Sequence, residues 1–195
     1  MAIFFTADTH FSKVDIKGVL ERDFRPFKNL RQMEQRIIKI WNRQAGKNDI
    51  IYHLGDFVNY NHRDRESYKS CFKLVKKIKA KVILILGNNE QRLMEEVFDN
   101  SFEDFKKYLL DVGFYDVIQD GIYMDISGTK FYLNHRPSKH KDDAINLFGH
   151  IHNSSFIKRY GFNVGIDNVH FKLFSEEMIQ EMLDRRKFFD DEVYN

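Results

Sequence analysis

Cysteine occurs once, at Cys71, and proline only twice, at Pro26 and Pro137. A single thiol cannot close an internal disulfide, so the chain is not a disulfide-stapled secreted scaffold. No apolar run approaches the roughly 20 residues of a membrane-spanning helix. The stretch Met1 to Phe11 lacks the basic leader of a signal peptide, and a soluble cytoplasmic protein is expected. Neither sign of charge dominates: 31 Lys and Arg face 29 Asp and Glu, for a net charge of +2. That balance argues against binding driven by an overall basic surface. There is no Ser/Gly-rich linker, internal repeat or low-complexity tract. The 195 residues suffice for one well-buried core, so a single domain over residues 1–195 is expected.

What is abundant is apolar and aromatic. The chain is 43% hydrophobic with 19 Phe, which excludes a disordered polymer. Short apolar runs alternate with helical periodicity in the first half. Ile3 to Ala7, Ile50 to Leu54 and Lys81 to Leu86 read as strands, the last buried on both faces. Leu30, Met33, Ile37, Ile40 and Trp41 recur at helical spacing behind Asn29, a suitable N-cap. Ser67 to Ile78 reads as a helix with Phe72, Val75 and Ile78 inward and Cys71 on the same face. A further helix runs from Ser101 to Gly113.

The second half is strand-rich. Val117-Ile118, Ile122 to Ile126, Lys130 to Leu133, Ile145 to Phe148 and Asn163 to Ile166 are the expected strands. Ser127-Gly128 suits a tight hairpin. Ser175 caps a last helix with Glu176 and Glu177 at its start and Arg185 and Arg186 at its end, complementing the helix dipole. An α/β protein follows.

The chemistry lies just past the strands, where open α/β sheets gather their ligand sites. The first strand runs into Asp8-Thr9-His10, the second into Gly55-Asp56, and the third into Gly87-Asn88-Asn89-Glu90. Later strands end at Asn134-His135 and at Gly149-His150-Ile151-His152. In extended backbone, residues two apart point to one side, so Asp8 with His10 and His150 with His152 would each offer two donors to one place. Any one of these pieces is ordinary: a Gly-Asp after a strand is usually a turn. Their joint recurrence at strand ends points to metal. Carboxylate, amide and imidazole donors suit manganese, iron, cobalt, nickel or zinc, and manganese is the ion expected. Seven candidate ligands are too many for one ion and fit a pair.

These blocks resemble the calcineurin-like metallophosphoesterases, whose pattern is D-x-H, G-D, G-N-H-[DE], H and G-H-x-H. The stretch from Arg25-Pro26-Phe27 through Trp41-Asn42 to Tyr52-His53-Leu54-Gly55-Asp56 is similar to a small bacterial and phage branch, as is Asn163-Val164-Gly165-Ile166-Asp167. The resemblance implies a four-layer α/β/β/α sandwich of two mixed sheets flanked by helices. It implies Asp8, His10 and His152 on one divalent ion, Asn88, His135 and His150 on a second, and Asp56 between them. It also implies in-line attack of a metal-bridging hydroxide on a phosphate ester, with a phosphodiester preferred and a nucleotide or nucleic-acid end as its class. A nucleotide phosphomonoesterase and a non-catalytic metal-bearing scaffold are the competing readings, and a monomer or homodimer is expected.

This chain departs from the family pattern at Asn89, where the usual histidine can protonate the leaving oxygen. Asparagine cannot deliver a proton at neutral pH. The carboxylate that supports that histidine in longer relatives is also replaced, by Asn59, and the adjoining arginine by Tyr60. Arg136, directly after His135, is a candidate phosphate contact or a surface arginine. The segment from Phe11 to Lys28 is read as a packing loop fixed by Phe24, Pro26 and Phe27, or else as a wall of the cleft. His53 is expected to be structural. His62 and His140 are the remaining candidate proton donors, and Glu90 a group supporting the ligands. Lys73, Lys76, Lys77, Lys79 and Lys81 are read as a solvated face.

Overall fold

Apolar runs of four or five residues dominate the strand content, and two sheets result. In the computed structural model, which describes residues 1–13, 18–62 and 66–186, the first sheet contains β1 (Ile3–Thr6), β2 (Ile50–Leu54), β3 (Lys81–Ile85) and β4 (Asp116–Ile118), all parallel. Its far edge is β10 (Phe174–Ser175), antiparallel to β1. The second sheet contains β5 (Ile122–Ile126), β6 (Thr129–Leu133), β7 (Ile145–Phe148), β8 (Ile157–Lys158) and β9 (Gly161–Asn163), in the order β5-β6-β7-β9-β8. It is mixed, because β6, β7 and β9 run parallel while β5 and β8 are antiparallel edges. The β5–β6 turn is made by Ser127 and Gly128, both with positive φ, as a tight hairpin needs.

Alternation along each strand divides the apolar side chains between two cores. Phe4, Ile51, Val82 and Leu84 face the helices α2 (Leu30–Gln44), α3 (Ser67–Phe72), α4 (Asn88–Val97) and α5 (Phe102–Val112). Met33, Ile37, Trp41, Phe72, Leu93 and Phe105 fill that layer. Phe5, Leu54 and Ile85 point the other way, onto Phe131, Leu133, Leu147 and Phe162 of the second sheet. Ile179 and Leu183 of α6 (Glu176–Arg186) join this second core. Two mixed sheets flanked by helices are therefore present, as the resemblance implies. A short helix, α1 (Val19–Arg22), lies in the segment between β1 and α2.

The caps behave as the sequence predicts. Asn29 accepts a hydrogen bond from Gln32 N, Ser101 from Asp104 N, and Ser175 from Met178 N. Gly113 ends α5 at φ 126. Three details differ. The helix from Ser67 tightens after Phe72 into a 3-10 turn over Lys73–Lys77, with the expected residues still inward. Only Asn163 of the expected Asn163 to Ile166 strand is in a strand, because Ile166–Val169 winds into a 3-10 turn. The Asn-Asn-Glu motif after β3 opens α4, a helix masked in the sequence by its polar first turn.

The parallel strands β1, β2 and β3 end at one rim, and β6 and β7 end at the same place. Phe11 N and Asp8 N donate to Phe57 O and Gly55 O, so the loops after β1 and β2 run side by side. His150 N donates to both oxygens of Asp8, at 3.1 and 2.9 Å, and ties the second sheet to the first.

Candidate metal centre

The five loops at this rim bring together side chains that the sequence scatters. The convergence is not made by strand alternation, as the spacing had suggested. Asp8, His10, Asp56, His150 and His152 all have positive φ, between 49 and 72°. Their backbone is left-handed, which turns each side chain sharply toward the cleft. Non-glycine residues in that region are strained by about 1–3 kcal/mol each, and such strain clusters at functional sites. Asp and His tolerate it better than branched or bulky residues.

Two glycines make the approach possible. Gly55 has φ +86, and a Cβ there would lie 2.5 Å from Gly87 Cα and 2.6 Å from His135 Nδ1. A Cβ on Gly149 would lie 2.7 Å from Asp8 Oδ2. Neither position has room for a side chain.

The ligand atoms form two groups. In one, the donor atoms of Asp8, His10 and His152 lie within 4.8 Å of one another. The two imidazoles stack with ring centroids 4.8 Å apart, and their Nε2 atoms approach to 3.2 Å. In the other, Asp8, Asp56 and His135 converge within the same limit. His135 Nε2 is 3.0 Å from Asn88 Oδ1, and its ring meets that of His150 edge-on with centroids 5.1 Å apart. Asp56 spans the two groups: Oδ2 is 3.7 Å from His10 Nε2, and Oδ1 is 3.6 Å from His135 Nε2. Asp8, His10, Asp56 and His135 are buried, while Asn88, His150 and His152 are partly open to a cleft of about 730 Å3.

This donor set fits divalent cations. Burial pushes the Asp8 carboxyl up to about 6, against the pull of His135 and His152. Burial, with His152 adding to it, holds His10 well below its ordinary range. Burial, with His135 adding to it, pushes His150 down to about 4. The neutral imidazoles of His10 and His150, packed against buried carboxylates, form a costly arrangement without a cation and a favourable one with it.

Behind these side chains stands a second set. Glu90, buried in the first turn of α4, accepts from the backbone N of Asp56 (2.8 Å), Gly87 (3.0 Å) and Val58 (3.2 Å). It holds the Asp56 loop in place, the supporting role expected for it. Asn89 is turned inward: its Nδ2 donates to Asp56 Oδ2 at 2.7 Å and its Oδ1 accepts from Tyr60 N at 3.2 Å. Asn59 lines the cleft, whereas Tyr60 is buried in the first core with its hydroxyl donating to Glu96. Arg136 Nη1 lies 3.3 Å from His150 Nε2.

The segment before α2 was misread in one respect. Phe24 is 84% exposed and Pro26 is exposed too, so neither anchors it, although Phe27 does pack on Phe171. The anchor is charged. Arg25 has a fully buried side chain that forks onto Asp167 at 2.8 and 2.9 Å and donates to Asp8 O and Thr9 O. Asp167 Oδ2 and Asp23 Oδ2 lie 3.8 and 3.1 Å from His152 Nδ1. Against the effect of burial, these two carboxylates raise His152 to about 9. The sequence held a partial signal for this: Arg25 is a charged residue set between two apolar ones, Phe24 and Pro26.

His53 is structural, as expected: buried, with Nε2 3.0 Å from Thr9 Oγ1 and a pKa pushed down to about 3 by burial. Neither His62 nor His140 lines the cleft. His140 instead stacks on Tyr160, which does line it, with centroids 4.0 Å apart. The five lysines from Lys73 to Lys81 are all solvent-exposed.

Known proteins agree with this architecture. A family profile described as calcineurin-like phosphoesterase matches residues 1–191. The chain therefore belongs to the calcineurin-like phosphoesterase family, a family of phosphoester hydrolases that typically depend on divalent metal. An uncharacterised protein of Methanocaldococcus jannaschii is 25% identical over 195 residues, covering 95% of this chain and 93% of the relative. Among solved structures, a protein of unknown function from Aquifex aeolicus superposes with a TM-score of 0.60 at 18% identity, over 93% of this chain and 98% of the other. A structure described as a novel archaeal phosphodiesterase has a TM-score of 0.46 at 18% identity, over 85% and 82%. No helix among the described residues is long and apolar enough to cross a membrane.

Proposed function

We propose that this chain is a two-metal phosphodiesterase. Asp8, His10 and His152 hold one divalent ion, Asn88, His135 and His150 hold the other, and Asp56 is shared. The observation that carries this reading is Asp56, whose two oxygens face His10 on one side and His135 on the other. Both sheets contribute ligands, which supports reading the chain as a single domain.

Bound there, two ions, manganese foremost, supply a water of lowered pKa and positive charge for the phosphate oxygens. The chain's own residues arrange the rest. Glu90 fixes the loop that carries Asp56. Asn89 donates to Asp56 and so orients that carboxylate. Arg136, beside His150 Nε2, is a phosphate contact. Two carboxylates against two dications leave a modest positive charge, which suits a diester monoanion better than a monoester dianion. The cleft also carries Lys158 and Tyr160, groups that suit a nucleotide or a nucleic-acid end.

With asparagine at position 89, the leaving group departs without a histidine acid. General acid help is worth about 10²–10⁴ in rate. Esters with acidic leaving groups are therefore preferred, aryl over alkyl. The test strips metal by chelation, restores manganese, and assays bis-aryl and mono-aryl phosphates side by side. Metal-dependent turnover with the diester faster is the expected result. A faster monoester makes the protein a monoesterase, and bound metal without turnover makes it a scaffold. Asn89→His should narrow the aryl-to-alkyl rate ratio, and an unchanged ratio defeats the leaving-group argument.

A further inference from the structure

We propose that Arg22 is a substrate-binding residue that grips the phosphate at the mouth of the metal cleft. The inference rests on the two-metal reading above and adds a residue to it. Arg22 ends the short helix α1 and lines the cleft. Its Nη2 lies 3.4 Å from His152 Nε2, the nitrogen that faces His10. The guanidinium is nonetheless fixed. Nε donates to Asp23 Oδ1 at 2.9 Å and Nη2 to Asp23 Oδ2 at 2.8 Å, and Asp23 is itself buried.

Three arguments converge on an anion at this place. The fork to Asp23 uses two of the five N–H donors of an arginine and Nη2 also faces His152 Nε2, which leaves the two donors of Nη1 to offer. The side chain stays 44% exposed, so those donors are reachable from the cleft. The Arg22 charge is matched by Asp23, so what it adds at the edge of the metal site is a set of fixed N–H donors of the kind that bind a phosphate oxygen. Arg25, three residues on, shows the contrast. Its side chain is completely buried and its donors go to Asp167 and to two backbone carbonyls. Arg25 turns all its donors to the scaffold, whereas Arg22 braces Asp23 and still keeps Nη1 for a ligand.

The role also answers the loss at position 89. Asn89 gives one amide proton to Asp56 Oδ2 and its oxygen to Tyr60 N. Arg22 adds a phosphate contact and not a proton, because an arginine stays charged at any accessible pH. The preference for acidic leaving groups is therefore kept.

The test compares manganese-loaded wild type with Arg22→Met and Arg22→Lys. Metal content is measured by elemental analysis, inorganic phosphate binding by calorimetry, and kcat/KM with a bis-aryl phosphate. Arg22→Met should keep its metal, bind phosphate at least about tenfold more weakly, and lose roughly 100-fold in kcat/KM, in line with the loss of one charged transition-state contact. Arg22→Lys should recover part of the phosphate affinity, since a point charge cannot reproduce the fork. Unchanged phosphate binding in both variants overturns the proposal. So does a defect in Arg22→Met that vanishes at saturating manganese, because Arg22 would then only brace Asp23 and His152. Wild type that takes up no manganese overturns the metal reading, and this inference with it.

Discussion

The two halves of the candidate centre are held by different means. Around His152 the support is charged side chains: Asp23 and Asp167 face its Nδ1, and Arg22 and Arg25 in turn hold those carboxylates. Around His135 the support is backbone. Its Nδ1 meets Leu54 O at 2.8 Å, and its neighbour Asn88 sits in the first turn of α4. A buried network of charges is strong only while every member is present. A backbone carbonyl is fixed by the sheet itself. The first half should therefore be more sensitive than the second to the loss of a single supporting side chain behind its histidine.

Asp56→Asn erases the comparison, because it strikes both halves at once. Its expected cost is about 4 kcal/mol or more of transition-state stabilisation, a factor of about 10³ in kcat/KM. Metal content should fall together with rate, as elemental analysis beside the diester assay would show. Full metal occupancy in this variant would deny Asp56 its shared position.

Asp167→Asn strikes the charged half alone. It leaves the buried Arg25 guanidinium with only the more distant Asp23, at 4.0 Å, as a counterion, and breaking a buried pair costs about 3–5 kcal/mol. Urea unfolding of the chelated protein should show that loss. Affinity for one of the two ions should drop about 10–100-fold, the usual effect of removing a partner behind a ligand histidine. Loss of both ions to the same degree would mean that the halves are not independently braced.

The smallest effect is on pH. His152 is raised to about 9 from an ordinary 6.5, so the chelated protein carries a proton there at pH 7. A metal at Nε2 must expel that proton, and apparent affinity should climb about tenfold per pH unit from 7 toward 9 and then level. Because the folded pKa lies above the unfolded one, the stability this proton brings is complete below about 6.5 and is lost as pH rises through 9. Titration of the apoprotein with manganese at several pH values tests the first part, and thermal unfolding over the same range the second. A flat profile would remove the charged brace from the argument.

Much of this was readable in advance where one stretch of chain decides the outcome. The apolar runs of β1, β2 and β3 became strands, Asn29 and Ser101 capped the helices expected of them, and Gly113 closed α5. The side chains of the five strand-end motifs did arrive at one rim. Less readable were places where a distant partner decides. Ile166 and its neighbours left the strand pattern for a turn that presents Asp167 to Arg25, 142 residues away. Phe24 looked like an anchor by its type, yet it is exposed, because the charged pair beside it does the anchoring.

The sequence alone determined most of the longer elements, the family resemblance and the identity of the polar side chains at the strand ends, because helix periodicity, apolar runs and short motifs are local properties of the chain. Tertiary structure decided how those side chains meet. The left-handed turns at Asp8, His10, Asp56, His150 and His152 are strained one by one, and they persist because packing and hydrogen bonds from both sheets leave each residue no other conformation.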